Sequence, residues 1–386
     1  MVSPMALEPT AYSIPLNRPL LMGGELRYIR DAVRRGQLSG DGHYTHLCSR
    51  WLESHLGVPR VLLTPSCTHA LELAYLLLDT EPGQEVLCPS FTFPSTANAF
   101  VLRGLKPRFV EIDARTLNMD PHSANAERTR QTVAITPVHY AGVPCDMTAL
   151  AAMATRHHLE IVEDAAQALG ARHQQRWAGA FGGLGAFSFH ETKNCICGEG
   201  GALAIRNPRH IRRAEILRQK GTDRERFLRG EVDKYTWVDV GSSFVPSELQ
   251  SAYLYAQLEH IETITQRRKR LHQRYVEALR RLEEQGRIQL PYIPPDTESA
   301  YHLFYVLLES PKQRAHVIKK LKENGIMATF HYFPLHLSAM GRRFGYGKGD
   351  FPVTERLSNC LLRLPFFTSM THREQQRVIR LLSELV

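Results

Sequence analysis

Lys193 stands where a side-chain amine could trap a carbonyl. It ends the string Ser188-Phe189-His190-Glu191-Thr192-Lys193, and Gly198-Glu199-Gly200-Gly201 follows shortly after. The residues leading into it, Gly185 to His190, alternate small, apolar and polar as a strand does. Beyond the glycines, Ala202-Leu203-Ala204-Ile205 reads as a second strand. A lone lysine on a strand-to-turn junction can form a Schiff base. The competing reading is a solvated lysine on a polar turn, so its neighbours matter.

Three other segments place reactive residue types just after short apolar runs. Val61-Leu62-Leu63 is followed by Thr64-Pro65-Ser66-Cys67-Thr68-His69-Ala70, where a helix should begin. Free backbone N–H groups and the helix dipole favour an anion there, and ordinary capping by Ser66 or Thr68 uses the same donors. Glu85 to Cys88 runs into Pro89-Ser90-Phe91-Thr92-Phe93, an aromatic end that could stack on a planar ring or fill a core. Glu160-Ile161-Val162 runs into Glu163-Asp164-Ala165-Ala166-Gln167. A buried carboxylate is costly unless it meets a cation, and a protonated ring nitrogen is one such cation; a helix N-cap is the alternative for Asp164. Together these residues offer an anion cradle, a stacking ring, a carboxylate for a cationic nitrogen and a lysine for an aldehyde. A phosphate-bearing aromatic aldehyde needs that set.

The elements that must position them follow from the same runs. Val61–Leu63, Glu85–Cys88, Arg108–Ile112, Thr132–Ile135 and Glu160–Val162 recur at spacings of roughly 22 to 28 residues, with helix-like stretches between them at His69–Leu78, Thr96–Arg103 and Met147–His158. This predicts an α/β array with a buried, mostly parallel sheet whose ligands bind at the carboxyl ends of its strands. A long helical stretch from Ser247 to Gln285 should link this unit to a smaller α+β one. The latter comprises a strand (His302–Leu308), a helix (Pro311–Glu323), a strand (Met327–Tyr332) and one or two final helices. The expected division is residues 1–260, a large domain with an N-terminal arm, and 261–386, the linking helix with the small domain. The first 20 residues carry four prolines and are expected to wrap over the surface.

Composition narrows the function classes. The chain has 386 residues, 43% hydrophobic and 23% charged, with 48 Lys and Arg against 39 Asp and Glu for a net charge of +9. The densest basic run, Arg267-Arg268-Lys269-Arg270, lies among apolar residues at helical spacing and reads as a solvated helix face. No zinc-finger spacing and no basic patch interleaved with aromatics argues for nucleic acid. The seven cysteines suggest no disulfide framework, Cys195-x-Cys197 lacks a second half for a metal site, and no metal is expected. No apolar run approaches the roughly 18 to 20 residues that span a bilayer, and no signal-peptide pattern opens the chain, so a cytoplasmic location is expected.

On Thr64 to Thr68, Val162 to Gln167, and Ser188 to Lys193 with Gly198 to Gly201, the chain resembles the DegT/DnrJ/EryC1/StrS sugar aminotransferases. The resemblance covers nearly the whole chain from Leu16 onward. It implies the fold type I architecture of pyridoxal phosphate enzymes, with a large mostly parallel domain and a small C-terminal α+β domain. It also implies pyridoxal 5′-phosphate as cofactor. Lys193 would form the Schiff base with the cofactor and act as the catalytic base, and Asp164 would pair with its ring nitrogen. Gln167 would lie near its phenolic oxygen, Ser66, Cys67, Thr68 and Ser188 would hold its phosphate, and Phe93 would stack on its ring. The resemblance further implies a homodimer with active sites at the interface. Many members place an asparagine of the neighbouring subunit on the phosphate in a Gly-x-Asn pattern; here Gly241-Ser242-Ser243 puts Ser243 in its place.

Within the group, Ser95 to Gly104, Pro137 to Gly142, Phe189 to Asn194 and Asp233 to Trp237 are most similar to members that aminate dTDP-4-dehydro-6-deoxy-D-glucose. The implied donor is L-glutamate and the implied product is dTDP-4-amino-4,6-dideoxy-D-galactose, the C4 epimer being the alternative. In the small domain His331, Tyr332 and His336 could contact the nucleotide sugar, or serve a plain strand and turn. Related dehydratases carry histidine in place of the lysine, so Lys193 favours transamination. A non-catalytic regulatory protein of the same fold is disfavoured by intact Lys193, Asp164 and Gln167. A nicotinamide enzyme is disfavoured by the lack of Gly-x-Gly-x-x-Gly.

Overall fold

In the computed structural model, which describes residues 12–386, seven strands form the central sheet. They are β1 (Arg60–Thr64), β2 (Glu85–Pro89), β3 (Lys106–Val110), β4 (Thr132–Ile135), β5 (Glu160–Asp164), β6 (Leu184–Ser188) and β7 (Gly201–Ile205), in the spatial order β1-β7-β6-β5-β4-β2-β3. All neighbouring pairs from β6 to β3 are parallel, and β7 alone runs against both β6 and β1. The five expected apolar runs each become a strand, Thr132–Ile135 unchanged and the other four with ends shifted by a residue or two. Burial on both faces explains their near-continuous hydrophobicity. Val61, Leu62 and Leu63 are all buried, as are Val86, Leu87 and Cys88.

The helix Cys67–Leu77 begins at Ser66, whose hydroxyl accepts the His69 N–H at 3.2 Å. Such a cap contributes about 1 kcal/mol. The helix packs Ala70, Leu71, Ala74 and Leu77 into the core beside the sheet. Glu163 and Asp164 close β5, and strand alternation sends their side chains opposite ways. Glu163, fully buried, accepts N–H groups of Gly179 (2.7 Å), Phe181 (2.7 Å) and Gly182 (2.6 Å) and meets His139 Nε2 at 3.0 Å. It is a structural anchor, which leaves Asp164 to the ligand side.

The expected helix from Ser247 to Gln285 is two helices, Glu248–Leu258 and Ile261–Glu284, broken at Glu259 and His260. The first packs against helices Glu25–Arg35 and His43–Leu56, while the second leads into the small unit. There β8 (Phe304–Leu308) pairs antiparallel with β9 (Leu361–Leu364), and helices Pro311–Glu323 and His372–Leu385 enclose a core around Tyr275, Phe304 and Leu362. Helix Pro311–Glu323 matches expectation residue for residue. The strand expected at Met327–Tyr332 reduces to a single bridge, Thr329 to Arg363, and the one expected from His302 begins at Phe304.

Two other expectations are corrected. Arg268 is not on a solvated face. It is 2% exposed, donating to the carbonyls of Tyr301 (2.8 Å) and His302 and to Thr368 Oγ1 (3.1 Å). Of the N-terminal arm, residues 1–11, which include Pro4 and Pro9, lie outside the described residues. The part that follows does not simply lie on the surface. Ile14 is buried in the small-unit core and pairs with Ile326, and Met327 N donates to its carbonyl at 2.9 Å.

Candidate active site

The carboxyl ends of β1, β5 and β6 open into a cavity of about 590 Å³. It is lined by ten of the residues singled out from sequence: Ser66, Cys67, Thr68, Phe93, Asp164, Gln167, Ser188, Lys193, His331 and Tyr332. Its size falls within the range of about 300–1,000 Å³ common for small-molecule sites.

Lys193 sits in the loop that joins β6 to its antiparallel neighbour β7. Backbone bonds close that loop, from Phe189 N to Gly200 O, Glu191 N to Gly198 O and Lys193 N to His190 O, at 2.8, 2.8 and 2.9 Å. Burial pushes the Lys193 ammonium below its ordinary value, and Arg363 pushes the same way, while Cys67 and Asp164 oppose. An amine so placed reaches its nucleophilic neutral form at lower pH than a surface lysine.

Asp164, 6% exposed, is held by Thr96 Oγ1 (2.7 Å to Oδ2) and the Ala166 N–H (3.1 Å to Oδ1). Thr96 is in turn bonded to Thr92 at 2.7 Å, so the carboxylate is fixed by a short hydroxyl chain. No cation of the chain forms an ion pair with it among the described residues, which suits a carboxylate reserved for a cationic ligand atom.

Gly201 shapes the helix start expected from sequence to hold a phosphate. In register it lies beside Thr64 and Ser188. A Cβ on it would collide with the backbone of Ser66 and Cys67. The glycine therefore lets β7 approach the helix N-terminus, where Ser66, Thr68 and Ser188 gather around free N–H groups. Thr68 is further tied to Ser95 at 2.8 Å. Gly201→Ala is expected to force these apart. It should weaken cofactor binding at least about tenfold and destabilise by about 1–3 kcal/mol, checked by cofactor titration and thermal melting.

Gln167 is doubly anchored: its Oε1 accepts the Ala141 N–H at 2.8 Å and its Nε2 donates to the Tyr332 hydroxyl at 2.9 Å. His331 Nδ1 lies 3.0 Å from the Tyr140 hydroxyl. Phe93, 57% exposed, stands at the mouth with its ring 6.4 Å from that of Tyr332.

Two expected residues lie elsewhere. His336 is fully buried between Ser90 Oγ (2.7 Å) and Glu355 Oε1 (3.2 Å) and does not line the cavity. Its role here is to pin the turn after Phe333 to the large unit. Ser243 is exposed, bridged to Gln219, and does not reach this chain's cavity. Cys195 and Cys197 are buried thiols, both raised to about 12 by burial, and bond to the carbonyls of Gln257 and Glu199.

Sequence reasoning missed Thr96, His302 and Arg363. His302 lines the cavity with Nδ1 at 3.1 Å from Asn194 Oδ1. Because Asn194 Nδ2 donates to Ala300 O at 2.7 Å, Oδ1 is the acceptor, His302 Nδ1 carries the proton and Nε2 keeps a lone pair. Burial holds its pKa well below the usual value, reinforced by Lys193, Arg268, Arg363 and His331. Arg363 left a readable signal: a single cation inside the apolar string Leu361-Leu362-Arg363-Leu364.

A profile of the DegT/DnrJ/EryC1/StrS aminotransferase family matches residues 21–383, and the chain belongs to this family. Among its relatives, the spore coat polysaccharide biosynthesis protein SpsC of Bacillus subtilis is 31% identical over 381 residues, 97% of each chain. Among solved structures, DesV of S. venezuelae superposes with a TM-score of 0.87 at 32% identity, covering 96% of this chain and 98% of that one. The pyridoxal phosphate form of the sugar aminotransferase Spr1654 from Streptococcus pneumoniae gives 0.89 at 25% identity, covering 97% and 100%. The fold is that of the pyridoxal phosphate-dependent aminotransferases, and pyridoxal 5′-phosphate is the cofactor. The donor set fits it: an anion cradle at a helix start, a buried carboxylate with no ion-pair partner among the described residues, and an amine depressed by burial. No helix among the described residues is long and apolar enough to cross a membrane.

Proposed function

We propose that this protein transfers the amino group of L-glutamate to a 4-keto-6-deoxy nucleotide sugar. The reading favoured by sequence is dTDP-4-dehydro-6-deoxy-D-glucose, giving dTDP-4-amino-4,6-dideoxy-D-galactose. The resemblance within the group is to the transaminase that makes this sugar for enterobacterial common antigen. The observation that carries the reading is the convergence of Lys193, Asp164 and the Ser66–Thr68 helix start on one cavity that retains neutral acceptors for a hydroxylated substrate. SpsC, by name a spore coat polysaccharide biosynthesis protein, and Spr1654, described as a sugar aminotransferase, support a sugar as the amino acceptor.

Pyridoxal phosphate supplies an aldehyde to carry the amino group and a cationic ring to take up an electron pair. The chain does the rest. Asp164 keeps the ring nitrogen protonated, with Thr96 holding the carboxylate in place. Lys193, once its amine is free, would hold and move a proton at Nζ beside the reacting carbon. Ser66, Thr68 and Ser188 hold the phosphate so that this geometry persists through both halves of the reaction. The neutral imidazoles of His302 and His331 and the Tyr332 hydroxyl serve the sugar hydroxyls. Burial pushes the His331 pKa well down and the Tyr332 pKa up, which keeps both uncharged.

The test is incubation of the keto sugar nucleotide with L-glutamate and the purified protein, with the product read by NMR. An axial C4 amine supports the galacto product, an equatorial one gives its epimer, and no amination with any keto sugar rejects the reading.

The active unit is proposed to be a homodimer, with Ser243 on the partner's cofactor phosphate. The support is an exposed apolar stretch beside it, with Leu228 58%, Trp237 79% and Val240 52% exposed. Trp237→Glu is expected to shift the protein toward monomer in sedimentation velocity and to reduce cofactor retention. An unchanged dimer would remove this stretch from the interface.

A further inference from the structure

We infer that the small unit carries a docking groove for an acidic amphipathic helix of a partner protein. The groove lies between helices Ile261–Glu284 and His372–Leu385, encloses about 920 Å³ and shares no lining residue with the catalytic cavity. Arg274 stands on the first helix, and Arg373, Arg377 and Arg380 stand at i, i+4 and i+7 on one face of the second. Glu277 is the one acid among the lining residues. Four arginines against one glutamate leave +3, a third of the chain's +9. None of the four forms an ion pair among the described residues. Arg274 reaches His372 Nδ1 (3.3 Å) and Gln375 Oε1 (3.4 Å), and Arg377 donates to Ser13 Oγ (3.2 Å) and the Asn324 carbonyl (2.6 Å), all neutral partners. Glu374, next to Arg373 in sequence, turns away to cap its own helix at Thr371 and to pair with Arg18 at 2.9 Å. A run of like charges on a helix is usually just solvated. Here the run borders a concave floor that includes apolar Ala278, exposed, and Ile379, partly exposed.

That shape selects among anions. A bilayer surface is flat and would span the groove without filling it. A nucleic-acid strand would set a polar backbone against the apolar floor, and no phenylalanine, tyrosine or tryptophan lines the groove to stack a base. A second copy of this chain lacks the complementary element, since no helix among the described residues carries acids at i, i+4 and i+7. A helix with Asp or Glu at that spacing covers the floor with its apolar stripe and meets the arginine row at the rim. Arg373 to Arg380 spans about 10 Å, two helical turns, so a helix lying alongside keeps its acids in step with the row. Exposed arginines of this kind set encounter and register more than bulk affinity, so the binding should weaken with salt.

The probe is a fluorescein-labelled peptide of about five helical turns, with Glu at i, i+4 and i+7 beside a leucine stripe. Its binding to the cofactor-loaded protein is read by fluorescence anisotropy, against a peptide of the same composition with the spacing scrambled. Arg373→Glu/Arg380→Glu reverses the rim. Lys312→Glu/Lys319→Glu makes the same change in charge at the same spacing, on exposed positions of helix Pro311–Glu323. The patterned peptide is expected to bind wild type at least about tenfold tighter than the scrambled one. It should also bind wild type about tenfold tighter than the groove variant, while the Lys312/Lys319 variant stays within about threefold of wild type. No binding of the patterned peptide overturns the assignment. Equal weakening in the two variants, or equal binding of the two peptides, overturns it as well, because net charge alone is then being read. Phosphatidylglycerol vesicles or a single-stranded oligonucleotide binding through the groove in preference to the peptide would replace the protein helix by a lipid or nucleic acid. Self-association in sedimentation velocity that the groove variant abolishes would replace it by a second copy. If Arg373→Glu/Arg380→Glu melts below wild type, Arg373→Gln/Arg380→Gln decides by the same criteria.

Discussion

Lys193→Ala is expected to abolish the visible absorbance of bound cofactor and to lower turnover by at least about 10²- to 10⁴-fold, the usual contribution of a positioned proton-transfer group. The loop bonds that hold Lys193 are made by its backbone, so the variant should fold and melt as wild type does. Cofactor should still bind through the phosphate cradle, more weakly and reversibly. Absorbance spectra, equilibrium dialysis and single-turnover kinetics check the three parts. Full activity in the alanine variant would remove Lys193 from the chemistry, whatever its place in the cavity.

Asp164→Asn is expected to have the second largest effect, about 10²- to 10³-fold on turnover, comparable to removing an electrostatic stabiliser from other active sites. The amide has similar size and can keep the Thr96 contact, so the loss reads charge rather than packing. It carries a second signature in pH. In the folded chain burial lowers the Lys193 pKa, while the Asp164 carboxylate raises it by favouring the ammonium. Removing that charge should shift the acid limb for aldehyde capture by Lys193 further down. A shift upward, or none, would mean that Asp164 and Lys193 do not sense each other across the cavity.

The parallel sheet was legible because strands buried on both faces must be apolar throughout and must end at turns, so five short runs located five strands. Asp164 was legible for the opposite reason, since a carboxylate at the end of such a run needs an explanation. Its neighbour Glu163 has the same sequence signal, and only the fold shows that it caps the loop at Gly179 to Gly182 instead. The helix break at Glu259 and His260 has no glycine or proline to announce it. It arises because the two halves pack on different units. The segment Met327–Tyr332 has strand-like composition yet pairs only at Thr329, because propensity cannot supply a partner strand. Arg268 reads as one more surface charge in a basic run; three oxygen acceptors distant in sequence take it inside. His336 was expected near the substrate, and Ser90 and Glu355 claim it. Each of these outcomes depends on residues far away along the chain, which local patterning does not encode.

The hairpin formed by β6 and β7 has one more consequence. Lys193 lies in its loop and Gly201 at its base, with Gly201 set against the helix start proposed to receive the phosphate. The cofactor carries its aldehyde and its phosphate-bearing arm on neighbouring ring carbons, and in the proposed binding mode a single short stretch of chain sets both landing points. The hairpin would thus act as a gauge of the spacing between those two groups. Adding or deleting one residue between Asn194 and Gly200 would mis-space the two groups without removing Lys193 or any residue of the helix start.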